Sequence, residues 1–156
     1  MVLYIIKGFH YSTFIPNFYN ANNGLTKKVK IRFDKSCVYN IDEKSCVNKL
    51  WGFSIGLFGV HKNSYRFGWT YENDKIIIWS YCYINGKLYK KQLTECEFDK
   101  EYECSIEIYD KATLIFNGVK IEFPVYELGL LMELGFYFGG ETRCPNNMKI
   151  NFNRIK

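Results

Sequence analysis

Three large aromatics, Trp79, Tyr81 and Tyr83, recur at every second position. On an extended strand they project to one side, about 7 Å apart. Flat rings at that spacing can stack on the apolar faces of sugar rings, while Arg, Lys, Gln and Ser side chains suit hydroxyls and carboxylates. Such side chains flank the aromatics: Ser64 and Arg66 on the preceding strand-like run, Lys90 and Gln92 on the following one. Together these residues form a candidate ligand-binding face. His61, in the polar run His61-Lys62-Asn63-Ser64, adds a general base or an anion contact beside Arg66. The same run also reads as a solvated hairpin loop. The aromatic face also reads as a buried inner surface, covered by N-terminal strands or by a partner subunit.

Other chemistry finds little support. With two histidines, at 10 and 61, no Ser/His/Asp or Cys/His arrangement can be argued, so no catalytic residues are assigned. Gly135 and Gly139-Gly140 lie beside strands, without the lysine and helix of a phosphate loop. Glu103 and Glu107 alternate on an exposed strand face and do not indicate the close carboxylate pair of a retaining glycosidase. The six cysteines, at 37, 46, 82, 96, 104 and 144, include no C-x-x-C pair. A structural zinc site is therefore not indicated, and no metal or cofactor is implied. Reduced thiols are expected, with Cys82 and Cys104 as small core residues. Cys37 and Cys46 flank a polar loop and are the pair to bridge under oxidation.

The chain of 156 residues suits one domain over 1–156. Its 19% aromatic content already favours pleated, half-buried strands. The net charge of +5 is mild. Lys27, Lys28, Lys30 and Arg32 form a basic strip, but Glu95, Glu97, Asp99 and Glu101 offset it elsewhere. A lysine-protected edge strand explains the strip better than a nucleic-acid partner. Met1 to Lys7 reads as a first strand and not as a secretory leader, and no run approaches the roughly 20 apolar residues of a membrane span. No membrane partner is expected, the compartment is open, and oligomerisation is compatible with the sequence.

Alternation and turns predict about ten strands. Thr26 to Phe33 alternates basic and apolar residues, Asp34 to Asn48 reads as a loop, and Leu50 to Gly59 as a buried strand. Asn73-Asp74 and Asn85-Gly86 suit hairpin turns. They would set Tyr71 against Ile76, Trp69 against Ile78, Phe67 against Ser80, Cys82 against Tyr89 and Ser80 against Lys91. The core face would then carry Phe67, Trp69, Tyr71, Ile76, Ile78, Cys82, Tyr89 and Leu93. Asn117-Gly118 sets Phe116 against Val119 and Leu114 against Ile121. Val125 to Leu134 reads as a loop or one short helical turn, Gly135 to Gly140 as strand-like, and Met148 to Ile155 as a final strand. The predicted fold is an all-β, two-sheet antiparallel sandwich.

The stretch from Tyr102 to Lys156, with Leu114-Ile115-Phe116-Asn117-Gly118-Val119-Lys120-Ile121, Tyr137-Phe138-Gly139-Gly140 and Met148-Lys149-Ile150-Asn151-Phe152, resembles the concanavalin-like (laminin-G-like) jelly roll. Gly56 to Trp69, Tyr81 to Lys87 and the Phe138 to Met148 tail resemble small uncharacterised proteins of gut bacteriophages, which implies a viral source in the host cytoplasm or virion. Concanavalin-like sandwiches often bind saccharides on one sheet face. The resemblance therefore implies a non-catalytic binding module that contacts a glycan or protein. The alternatives are a viral structural or host-interaction scaffold and a polysaccharide lyase. Tyr83-Ile84-Asn85-Gly86-Lys87-Leu88-Tyr89-Lys90-Lys91-Gln92 resembles the Tyr/Lys/Gln strand of alginate-lyase sandwiches, in which a tyrosine acts as acid and base. This sequence lacks their Gln-Ile-His motif, and Lys28-Val29-Lys30-Ile31-Arg32 does not match their arginine-bearing strand.

Overall fold

The computed structural model describes residues 1–40 and 46–155. Among them, twelve strands follow in chain order: β1 (Val2–Ile5), β2 (Phe18–Asn20), β3 (Leu25–Phe33), β4 (Asn48–Ile55), β5 (Ser64–Glu72), β6 (Lys75–Ile84), β7 (Lys87–Cys96), β8 (Glu101–Ile108), β9 (Lys111–Phe116), β10 (Val119–Pro124), β11 (Leu130–Leu134) and β12 (Met148–Ile155). They build two antiparallel six-stranded sheets, in the orders β1-β12-β3-β8-β9-β10 and β2-β11-β4-β5-β6-β7. The architecture is the two-sheet sandwich expected. Among the described residues no helix is long and apolar enough to cross a membrane.

Turn chemistry sets much of the register. Asn73-Asp74, Asn85-Gly86 and Asn117-Gly118 have positive φ at both central positions, the requirement of a type I′ hairpin. Each predicted cross-strand pair in these hairpins is present, from Tyr71 opposite Ile76 to Ile121 opposite Leu114. The inner faces interlock through aromatic pairs that bridge the sheets: Phe33 with Trp69 at 5.4 Å between centroids, Phe67 with Phe116 at 5.6 Å, and Trp51 with Phe152 at 6.2 Å.

Several expectations need correction. Leu130–Leu134 is a strand and not a loop or helical turn, because it inserts between β2 and β4 and gains hydrogen-bonded partners on both sides. Gly135 to Gly140 forms no regular strand: Tyr137 alone makes isolated bridges, to Tyr11 and Lys49. The segment from Asp34 begins with a 3-10 turn at Lys35–Cys37, and residues 41–45 of that expected loop lie outside the described residues. Tyr89 is exposed because β7 is the sheet edge, and only its far end, at Leu93 and Cys96, reaches the core. A bulge between Ile78 and Trp79 shifts the register there. β3 is central, between β12 and β8, so its basic strip does not protect an edge. Arg32 lies opposite Glu101 and Lys30 opposite Glu103, and Lys30 pairs with Glu101 at 3.0 Å. All six cysteines, Cys37 and Cys46 included, are free thiols.

The N-terminal third both completes the sandwich and crosses its open face. Between β1 and β2 the chain forms a strap over residues 6–17. Its anchor is Glu133 of β11, a carboxylate with a side chain only 2% exposed. Arg154 of β12, in the other sheet, grips it with two bonds, Nη2 to Oε2 at 2.9 Å and Nε to Oε1 at 3.2 Å. Trp51 Nε1 donates to Oε1 and Asn17 Nδ2 to Oε2, each at 2.9 Å. Arg154 also donates to the Ile15 carbonyl and lies over the Phe14 and Phe152 rings. One ion pair thus joins both sheets and the strap. Arg154 is itself 36% exposed, but its removal strands the charge of buried Glu133. Arg154→Ala is therefore expected to destabilise the protein by about 3 kcal/mol, read as a fall in the urea midpoint; an unchanged midpoint would contradict this role for the pair.

Candidate functional site

Strand alternation puts Tyr65, Phe67 and Trp69 into the core and turns Arg66, Gly68 and Thr70 outward. The same alternation on β6 turns Trp79, Tyr81 and Tyr83 outward, half-buried and uncovered by any second sheet. The aromatic face is thus the open face of its sheet.

Cross-strand pairing aligns Leu134, Gly52, Arg66, Tyr81 and Lys90 in one row. Arg66 reaches back across Gly52, and its Nη2 donates to the Gly135 carbonyl at 2.9 Å. Gly52 makes this possible. A Cβ there would stand 2.3 Å from Arg66 Cβ and 2.2 Å from the Tyr65 carbonyl oxygen. Backbone would have to move, so Gly52→Ala is expected to cost about 2 kcal/mol, read as a fall in the urea midpoint; an unchanged midpoint would contradict this close approach.

On this face a groove of about 710 Å³ is lined by Tyr11, Lys49, His61, Arg66, Tyr81 and Tyr137, among others. Its electrostatics are one-sided. Arg66 is 7% exposed, its Nε has no hydrogen-bond partner among the described residues, and burial lowers its guanidinium to about 10. Lys49 Nζ donates to the Gly139 carbonyl at 2.9 Å and sits 5.0 Å from the Tyr81 ring centroid and 5.7 Å from that of Tyr137. Burial, and then the Arg66 charge, lower its ammonium from the ordinary lysine value. Neither cation forms an ion pair with a described carboxylate. Glu133 also lines the groove, but its oxygens are held by Arg154, Trp51 and Asn17. Two partly desolvated cations without a counter-ion leave this part of the groove positive. Beside them the Tyr81 phenol is pushed up to about 12, by burial first and then by the neighbouring Tyr83.

The sequence-derived residues divide. Arg66, Tyr81 and His61 come together in the groove. Tyr83 backs them, in edge contact with Tyr81 at 6.0 Å and tilted against the His61 ring at 5.2 Å. Trp79 Nε1 donates to Thr70 Oγ1 at 3.0 Å, along the same face. Lys90 and Gln92 are exposed beside Tyr81 and Trp79 but do not line the groove. Ser64 is fully buried, its hydroxyl donating to the Val60 carbonyl at 2.7 Å to fix the loop that carries His61. Lys49, Tyr137 and Tyr11 were not legible as site residues. Tyr137 alternates between two phenylalanines, a faint signal, whereas Lys49 and Tyr11 reach the groove through long-range bridges at Tyr137. The run from Tyr83 to Gln92 is two strands and a turn. Tyr89 and Lys91 lie opposite Cys82 and Ser80, on the face away from the groove.

No family model matches the sequence, and a sequence search of curated proteins finds no match. The fold, however, is similar to solved alginate lyases. One from Chlorella virus aligns with a TM-score of 0.66 at 13% identity, over 98% of this chain and 81% of that one. One from Pseudomonas aeruginosa aligns with a TM-score of 0.56 at 10% identity, over 81% of this chain and 60% of that one. A member of polysaccharide lyase family 7 aligns with a TM-score of 0.54 at 10% identity, over 88% and 65%. At such identities the likeness shows the fold, and the chain spans only about 60 to 65% of the latter two enzymes. The expectation of a non-catalytic binding module, with a viral scaffold as alternative, is corrected by these neighbours. They are described as alginate lyases, and none of them as a binding module or a viral scaffold.

Proposed function

We propose that the protein is a polysaccharide lyase acting on alginate or another uronate polymer. The observation that carries this reading is the pair of uncompensated cations, buried Arg66 and half-buried Lys49, set against the protonated phenol of Tyr81. In this reading both cations receive the uronate carboxylate, Arg66 through its free Nε. The carbon next to a carboxylate gives up its proton only when the resulting enolate charge is stabilised, and fixed cations in a desolvated groove supply that stabilisation.

The elimination then needs an acceptor and a donor for protons. His61, at the groove margin, takes the proton from C5. The electrons of that bond form the C4–C5 double bond as the C4–O4 bond breaks. Tyr81, which holds its proton at neutral pH, delivers it to the departing O4. Proton return from the imidazolium to the phenolate resets the site. No metal or cofactor takes part in this scheme.

Wild-type protein incubated with alginate and other uronate polymers is expected to generate the ultraviolet absorbance of an unsaturated uronate, with Tyr81→Phe lowering kcat by about 100-fold or more. No product from any uronate polymer would sink the reading. Carboxylate binding needs Lys49 protonated, and its folded pKa is depressed. KM is therefore expected to rise with pH before an ordinary lysine titrates, and Lys49→Arg, which keeps its charge, is expected to remove that rise. A KM flat across the alkaline range in wild type would exclude Lys49 from carboxylate binding.

A further inference from the structure

We infer that the strap over residues 6–17 builds a second sugar subsite, in which Tyr11 stacks on a ring further along the uronate chain than the one held by Lys49 and Arg66. This inference rests on the uronate reading above. Tyr11 is 76% exposed, yet it is not loose. Its backbone bridges Tyr137, and its ring meets the Tyr137 ring edge-on at 4.9 Å and 84°. The neighbouring strap residues are fastened to the same segment: Ser12 N–H donates to the Phe136 carbonyl at 3.2 Å, and Phe138 N–H donates to the His10 carbonyl at 2.8 Å. His10 stacks on Tyr137 at 5.1 Å and 12°, and its Nδ1 bonds the Phe138 carbonyl at 2.8 Å.

Tyr137 is thus held by His10 and Tyr11 from the strap and bridged to Lys49 on β4. Lys49 in turn lies near both the Tyr81 and Tyr137 rings. The groove therefore runs from Tyr81 past the Lys49 cation to Tyr137 and Tyr11. Exposed apolar side chains are ordinary in themselves. A fixed, exposed aromatic at the end of a cationic groove is different. It offers a flat ring for the apolar face of a pyranose and a hydroxyl for its polar edge, and little ordering cost remains to be met on binding. The cations define the occupant, because a polyanionic chain placed on them passes over Tyr11.

Calorimetric titration of the full chain, in the Tyr81→Phe background that blocks turnover, with oligouronates of increasing length tests this. Tyr11→Ala is expected to weaken binding of the longer oligomers about tenfold and to leave the shortest binding oligomer unaffected. Tyr11→Phe is expected to retain wild-type affinity and Tyr11→Trp to tighten it. Circular dichroism melts are expected to be unchanged for all three, since the ring is exposed. Equal weakening at every length, or none at any length, would overturn the subsite while leaving the uronate reading intact. Failure of the parent protein to bind any oligouronate would overturn both.

Discussion

The Glu133–Arg154 pair is the constraint on which the architecture of the groove depends. A sandwich is held mainly by apolar packing, which is non-directional and tolerates small slips. A carboxylate with four fixed donors does not. Glu133 belongs to one sheet and Arg154 to the other, and the remaining donors come from Trp51 in the core and Asn17 in the strap. Glu133 N–H also donates to the Asn17 carbonyl, so the strap is tied to β11 through backbone as well as side chain. The position of Phe14, packed on Arg154 and Phe152, follows from that anchor.

This pair also explains why the cations nearby remain unbalanced. The one buried carboxylate lining the groove already has its oxygens occupied. Arg66 and Lys49 therefore act on each other only as like charges, and burial weakens the charged form of both. Their bonds to the Gly135 and Gly139 carbonyls satisfy donors without neutralising either charge. An anionic ligand that binds the native state would relieve this repulsion, which couples ligand binding to stability in a way that a paired Arg66 would not.

What the sequence made legible was local. Three type I′ turns, recognisable as Asn-Asp or Asn-Gly between alternating runs, fixed three hairpins residue by residue, because a hairpin's register follows from its turn. Arg66, Tyr81 and His61 could be gathered on one face for the same reason. The rest depended on contacts distant in the chain. β11 is a strand only because β2 and β4 bracket it, and its Leu-Leu-Met-Glu-Leu sequence does not alternate. Lys49 sits at the start of an apolar run buried on both faces, where nothing local marks a cation as turned towards a groove. Tyr11 lies 126 positions from the tyrosine that fixes it, by difference of their residue numbers.

The misjudged choice between binding and catalysis has the same origin. Trp79, Tyr81 and Tyr83 at period two describe a sugar-stacking face equally well whether or not chemistry follows. What distinguishes the two is the environment of one phenol. Tyr81 is opposite Arg66 across the ladder, has the Lys49 ammonium 5.0 Å from its ring centroid, and meets the Tyr83 ring edge-on at 6.0 Å. Cations alone would favour its ionised form. Burial and Tyr83 outweigh them, and the phenol keeps its proton. A protonated phenol beside two cations can donate to a leaving oxygen while the cations hold the carboxylate that acidifies the neighbouring carbon. Stacking alone would require neither cation; binding an anion would use both, and the protonated phenol beside them is the one group that the proposed elimination uses and binding does not.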